Sequence, residues 1–447
     1  MDQTLALELE CPQDFEIALE HVDSILRDDD CEELPYPRKV VCRGQFFCWP
    51  KSRLVAKLFG GHYLGAFPLR SLQLQHLNFP FLVDGLSETV WATRHTLHSL
   101  ELWDVRLCWH DCKDKGRMAA SLTNHPTLEK ATIKPISCCR SCRGEEDPSP
   151  RHNELLAALA TCPLTDLHLS NVNLSWRQDG RVLASFHNHP SLQKMALNDL
   201  MWPSGSEWNW DGPGTRTLWF GWLKKLLASL STCPKLYSLT LDTAMPRDVD
   251  FVAICDDMRL YWLSKATLKE LVFKAPLVRR QIDNVLFMRT TSNRGGMTPV
   301  HQDYVSTIKS IANRLEINAT LTRLSLSIPE ECLLSFVEPL KRNHPLQCLE
   351  LHLPENVLGS GDDAEMFAKV LRDCNDTLEH LVVPGFHFYR LLQYYLLLNR
   401  AGRKRLHNDE ATDRECVDAL VKYRESLDVV HFFLSKCPAI LWRTHDT

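Results

Sequence analysis

The residues best equipped for chemistry lie between positions 108 and 154. Cys108-x-x-x-Cys112 encloses His110, and Cys138-Cys139-x-x-Cys142 follows. Four thiolates brought together suit tetrahedral zinc, which makes Cys108, Cys112, Cys139 and Cys142 a candidate metal site. Buried or free thiols are the alternative, because the chain carries 17 cysteines spread over its whole length and reduced cysteine packs as a small apolar side chain. His152-x-Glu154 lies near the second cysteine pair. However, a zinc deaminase needs the opposite order and a Pro before the first cysteine, so that reading is rejected.

Other catalytic arrangements are absent from the sequence. It contains no H-E-x-x-H, no G-x-S-x-G and no Walker loop, and Gly295-Gly296 sits in a polar stretch rather than between a strand and a helix. Aromatic residues form the next concentration. Trp202, Trp208, Trp210, Trp219 and Trp222 include five of the chain's 12 tryptophans. Trp219 and Trp222 are three apart on an expected helix and read as core. Trp202, Trp208 and Trp210 stand among Pro203, Gly205, Gly212, Pro213 and Gly214, a turn composition. There they are either anchors for a partner, since rigid rings bury area at low entropic cost, or a lid folded over the core.

Composition narrows the function classes. Of 447 residues, 44% are hydrophobic and 24% charged, and 51 basic against 56 acidic side chains leave a net charge of −5. That sign and size give no general attraction to nucleic acid or to an anionic membrane. No apolar stretch approaches the ~18 residues of a spanning helix, and the start of the chain lacks a secretory pattern. The cysteines then read as reduced thiols of a cytoplasmic or nuclear protein. The sequons at Asn173, Asn318 and Asn375 consequently carry no glycan.

The elements that position these residues come from a repeat. L-x-x-L-x-L, with apolar substitutions, starts at Leu69, Leu97, Leu128, Leu164, Leu192, Leu236, Leu268, Leu321, Leu346 and Leu378, a mean step of about 34 residues. The L-x-L core alternates as a strand buried on one face does. Between the strands lie helical patterns over Arg151–Cys162, Arg216–Cys233 and His301–Asn318. Ten strand–helix units predict an α/β solenoid with a parallel inner sheet and outer helices. Asn124-His125-Pro126, Asn188-His189-Pro190 and Asn343-His344-Pro345 occur just before strands, and Thr161-Cys162-Pro163 and Thr232-Cys233-Pro234 fill the same slot. There Pro stops the helix and launches the strand. Recurrence at one repeat position assigns these His and Cys residues to packing rather than catalysis.

The strand signature with intervening helices resembles the leucine-rich repeats of the ribonuclease-inhibitor-like superfamily over about Leu69 to Phe386. The resemblance implies a horseshoe and a non-catalytic protein-binding scaffold. The ninth position, where many such repeats carry Asn or Cys, holds Leu77, Val105, Ile136, Val172 and Leu200 here. The segment Leu398-Asn399-Arg400-Ala401-Gly402-Arg403 is similar to a tail of uncharacterised algal leucine-rich-repeat proteins.

Three divisions follow. Residues 1–60 form an N-terminal helical cap or degenerate first repeat, with a helix over Asp14–Arg27 and a strand near Val40 and Val41. Residues 61–388 form the solenoid. Residues 389–447 form a C-terminal helical cap, with helices over Phe388–Asn399 and Asp413–Lys436. The basic segment Arg400, Arg403, Lys404, Arg405 between those helices reads as a solvated loop or a nuclear-import signal.

Insertions after strands, at Met201–Thr215 and Ala275–Val300 and from Ile136 to Pro150, fall along one edge of the stack. With the leucines inward, the intervening residues form an open sheet face. The expected partner-binding set on this face and its rim is Glu101, Trp103, Lys130, Lys134, Asp166, His168, Asn198, Trp202, Trp208 and Trp210. Its mixed charges suit a protein or peptide. Two other functions remain open: a zinc-bearing regulatory protein or enzyme built on the Cys108–Cys142 loops, and a ubiquitin-ligase substrate adaptor. No F-box pattern is present in residues 31–60 to support the adaptor.

Overall fold

Each of the ten leucine patterns becomes a parallel strand. A computed structural model describes residues 4–9, 12–27, 37–44, 52–77, 82–106, 113–134, 136–137, 150–170, 185–198, 227–242, 265–274, 299–354, 357–407 and 412–436. The chain forms two compact units, Met1–Ala244 and Met245–Thr447. The tryptophan loop and all four cysteines of the candidate metal site lie outside the described residues.

In the first unit the strands are β1 (Thr4–Glu8), β2 (Lys39–Arg43), β3 (Ser71–Gln75), β4 (Ser99–Trp103), β5 (Val105–Arg106), β6 (Lys130–Ile133), β7 (Ile136–Ser137), β8 (Asp166–Ser170), β9 (Lys194–Asn198) and β10 (Ser238–Asp242). The main sheet runs β1-β2-β3-β4-β6-β8-β9-β10. Parallel pairing places Leu72, Leu100, Ala131, Leu167, Met195 and Leu239 in one row and Leu74, Leu102, Ile133, Leu169, Leu197 and Leu241 in the next. Every one of these side chains is buried. They are the hydrophobic spine, and a one-residue slip of any strand would turn its pair outward.

The two rows extend through Val40 and Cys42 of β2 to Leu5 and Leu7 of β1. The strand expected near Val40 and Val41 is therefore present. β1 is an addition, invisible to the repeat because Thr4–Glu8 alternates without the leading leucine.

A helical layer covers the spine: α1 (Pro12–Arg27), α2 (Ser52–Leu58), α3 (Leu82–Ala92), α4 (Lys113–Leu122) and α5 (Pro150–Leu159). Successive helices pack on one another. α1 buries Phe15, Ala18, Leu19 and Val22, the face its 3.6-residue spacing predicts. α2 and α3 approach closely at Gly85, where a Cβ would stand 3.0 Å from Phe59.

The second unit has strands β11 (Glu270–Lys274), β12 (Arg323–Ser327), β13 (Cys348–His352) and β14 (His380–Val382), paired in parallel in that order. Its helices are α6 (Pro299–Leu315), α7 (Val337–Leu340, entered through a 3₁₀ segment, Glu330–Phe336), α8 (Gly361–Asp373), α9 (Arg390–Arg400), α10 (Arg403–His407), α11 (Asp413–Lys422) and α12 (Leu427–Lys436). Among the described residues no helix is long and apolar enough to cross a membrane.

Two sequence expectations need correction here. The helix expected over Asp413–Lys436 is broken: Tyr423 leaves helical geometry at φ −109°, ψ 21°. The break lets Val429 and Phe433 of α12 join Cys416 of α11 against Leu398 and Ala401. The basic segment at 400–405 is not a solvated loop. Arg403 is buried within α10's first turn, donating to the carbonyls of Leu371 and Asn375.

Helix-to-strand turns raise a polar problem, because the last helix carbonyls and the first strand amides are buried with no intrasegment partner. At several of these turns one side chain solves it. In the second unit it is asparagine. Asn343 Nδ2 donates to the carbonyls of Leu315 (2.6 Å) and Asn318 (2.9 Å), while its Oδ1 accepts from Leu346 N–H. Asn375 repeats this with Leu340 and Asn343 and accepts from Thr377 and Leu378.

In the first unit His and Cys alternate in the slot. Cys162 Sγ donates to the Leu122 carbonyl, His189 Nε2 to the Cys162 carbonyl, and Cys233 Sγ to the Phe186 carbonyl. Beside them Thr161 and Thr232 accept from Asn124 N–H and Asn188 N–H. Those two asparagines adopt φ +54° and +55°, a left-handed conformation that Asn tolerates better than most residues. Cys162, His189 and Cys233 are thus packing elements with a defined hydrogen-bonding task, whereas His125 fills the same slot buried with neither ring nitrogen hydrogen-bonded.

Two substitutions test these two layers. Leu169→Ala opens a cavity in the spine and is expected to cost about 2–5 kcal/mol by urea unfolding. Asn375→Ala strips partners from buried carbonyls and amides and is expected to cost at least about 2 kcal/mol, with the far-ultraviolet spectrum unchanged.

Candidate functional site

Alternation along the strands sends the residues between the leucines to the face away from the helices. Seven of the expected partner-binding residues meet there in the first unit, on adjacent strands. Register places Glu101 beside Thr132 and His168 in one row, and Lys130, Asp166 and Lys194 side by side in another. Trp103 ends β4, and Lys134 directly follows β6. The Lys134 ammonium lies 4.1 Å from the Trp103 ring centre, a cation–π contact. Asn198 Nδ2 donates to His168 Nε2 at 2.8 Å, which fixes a neutral imidazole there.

His168 titrates below its ordinary value. Burial is the first cause and the Lys134 charge the second, with Asp166 opposing them. Two polar atoms in this patch are buried without a hydrogen-bond partner: Trp103 Nε1 and Asn198 Oδ1. Glu101, Trp103, Asp166 and His168 are half-buried and Lys130 is exposed. Not every intervening residue is open, since Gln75, Ser170 and Ser238 are buried. Trp202, Trp208 and Trp210 cannot be set against this patch, being outside the described residues.

A second polar cluster, outside the expected partner-binding set, occupies the corresponding sheet face of the second unit. Glu350 on β13 accepts from Arg323 at 2.6 Å and from Ser325 Oγ at 3.1 Å, with Lys274 at 3.9 Å. Ser325 Oγ also lies 3.0 Å from His352 Nε2. Burial raises the Glu350 carboxyl, but Arg323, the Ser325 hydroxyl and Lys274 together hold it below its ordinary value. A Ser–His–Glu grouping invites comparison with a hydrolytic triad, and the geometry fails it. Glu350 faces Nε2, the ring nitrogen already turned to Ser325, rather than orienting the far nitrogen. Ser325 has no exposed surface. The same L-x-L alternation that revealed Glu101 would have revealed Glu350 and His352 between Leu349 and Leu351.

The buried thiols are poorly placed for chemistry. Burial pushes Cys162 up to about 11 and Cys332 up to about 12, so neither is a nucleophilic thiolate near neutrality. Among the described residues no group of His, Cys, Asp or Glu is arranged to hold a metal. The strands leading into the two cysteine loops do pair: Val105 and Arg106 of β5 lie opposite Ile136 and Ser137 of β7. Val105 and Ile136 are ninth-position residues, so an apolar pair in a small second ladder stands where the resembled repeats place a polar turn residue.

No protein-family model matches this sequence, and no curated protein matches it.

The slot histidines make stability depend on pH. Burial lowers His125 to about 4, the nearby Arg94 charge adding to the effect, and burial also lowers His189. Between the unfolded histidine value near 6.5 and the folded value the unfolded chain binds the extra proton. Stability is therefore full above that window and falls as pH drops through it, by about 3 kcal/mol for His125 alone. Urea unfolding at stepped pH is expected to show this loss in the parent and a shallower one in His125→Asn.

Proposed function

We propose that the protein is a non-catalytic, protein-binding scaffold: a leucine-rich-repeat horseshoe of the ribonuclease-inhibitor-like kind, its terminal helices capping the stack and its concave sheet face receiving a protein or peptide. The supporting observation is the patch on the first unit's sheet. Glu101, Trp103, Lys130, Lys134, Asp166, His168 and Asn198 come from four parts of the chain to adjacent positions on a rigid sheet. A tryptophan covered by an ammonium, flanked by a neutral histidine and charges of both signs, has the make-up of an interface: an aromatic anchor with a polar surround.

Alanine at Glu101, Trp103 and His168 is expected to abolish recovery of the partner by affinity purification and mass spectrometry while leaving the melting temperature within about 2 °C of the parent. Loss of binding only in proportion to loss of folding contradicts the platform.

A second reading places a zinc ion on Cys108, Cys112, Cys139 and Cys142. Pairing of β5 with β7 favours it, because the chain leaves two hydrogen-bonded strands just before Cys108 and Cys138. Elemental analysis separates the two readings. Stoichiometric zinc in the purified protein, lost on replacing Cys139 and Cys142 together, supports the metal; a zinc-free folded protein removes it.

A further inference from the structure

We propose that the open edge of β1 joins two copies of this chain, their Thr4–Glu8 strands pairing antiparallel about a two-fold axis through Ala6. Among the described residues β1 pairs only with β2, at the end of the first unit's main sheet.

The phase of the strand decides which main-chain groups are left over. Leu9 N–H donates to the Arg43 carbonyl at 2.7 Å, so the main-chain groups of Leu5, Leu7 and Leu9 turn toward β2. Alternation turns those of Thr4, Ala6 and Glu8 to the open side, where no described residue meets them. All three residues are exposed. Leu5 and Leu7 stay 7% and 6% exposed, whereas their β2 partners Val40 and Cys42 are fully covered. Sheet edges that stay single are protected by Pro, by Lys or by a bulge. Thr4-Leu5-Ala6-Leu7-Glu8 has none of these and runs beside β2 in unbroken register.

The strand is complementary to itself. Laid antiparallel on a second copy with Ala6 opposite the partner's Ala6, it sets Thr4 against the partner's Glu8 and Leu5 against the partner's Leu7. Each outward N–H then meets an outward carbonyl. A two-fold axis perpendicular to the sheet keeps both sets of leucines on the helix side, so the two inner rows continue into the second copy. Charge gives the same register. Lys39 lies beside Thr4 on β2 and makes no ion pair among the described residues. The partner's Glu8 takes the place on the other side of Thr4, and that short side chain lets its carboxylate reach across to the Lys39 ammonium. Glu8 is otherwise held only loosely, 3.9 Å from Arg43. The Trp103 patch begins on β4, beyond β2 and β3, so the pairing leaves it open.

Sedimentation velocity of the full chain over a concentration series tests this. Two paired strands of this length make a small interface, so a reversible dimer with a dissociation constant of about 10–100 µM is expected. Ala6→Pro removes the central donor but no bond to β2, and proline is tolerated where a strand's N–H faces outward. That variant is expected to keep the parent's circular dichroism and melting temperature and to be monomeric. Glu8→Lys, a change at an exposed side chain, is expected to weaken the dimer about tenfold, and adding Lys39→Glu is expected to recover most of that loss. A parent that stays monomeric at about 500 µM overturns the proposal. So does a dimer undiminished in folded Ala6→Pro or, where that variant fails to fold, in Glu8→Lys.

Discussion

A chain that alternates parallel strands with helices must bury the turn at which each helix gives way to a strand. Backbone carbonyls and amides at that turn have no partner within their own segment, and one unsatisfied group per repeat would cancel much of what the leucines gain. Here, at the turns that carry Cys162, His189, Cys233, Asn343 and Asn375, a single side chain reaches across to the neighbouring turn. Asn does this most completely, donating twice and accepting from the strand ahead. In the first unit His189 does it with one ring nitrogen donating and the other accepting, and Cys162 and Cys233 do it with a thiol. The reach is lateral, so the same bond that completes one turn fixes its spacing from the next.

That spacing is what allows the open face to carry a pattern. Strands locked in register hold Trp103, Lys134, His168 and Asn198 in fixed relation although they are far apart in sequence. The same lock sets Arg323, Ser325, Glu350 and His352 around one carboxylate in the second unit. Both groups of side chains sit on backbone whose position is decided elsewhere, in the spine and the turns, which lets these side chains change without changing the fold.

The sequence made the ten strands legible because each carries two buried residues with period 2 behind a leading leucine, and the positions of Leu72, Leu167 and Leu324 follow directly. It also made the open face legible, since alternation alone assigns Glu101 and His168 to it. Other features were hidden for identifiable reasons. β1 lacks the leading leucine. The break at Tyr423 has no Gly or Pro to announce it and is decided by packing against Leu398. The role of Asn343 and Asn375 could be placed at a recurring position but not understood, because their partners lie 25 to 35 residues away. Arg403 reads as a surface cation and is instead drawn inside by the carbonyls of Leu371 and Asn375.

Native-state hydrogen exchange at single-residue resolution tests the central claim most directly. The account predicts that the amides of Leu192, Leu346 and Leu378, which donate to the slot side chains, exchange as slowly as those at the centres of their strands. Rapid exchange at these amides beside protected strands would contradict it, for the turns would then be held by the sheet and not the sheet by the turns.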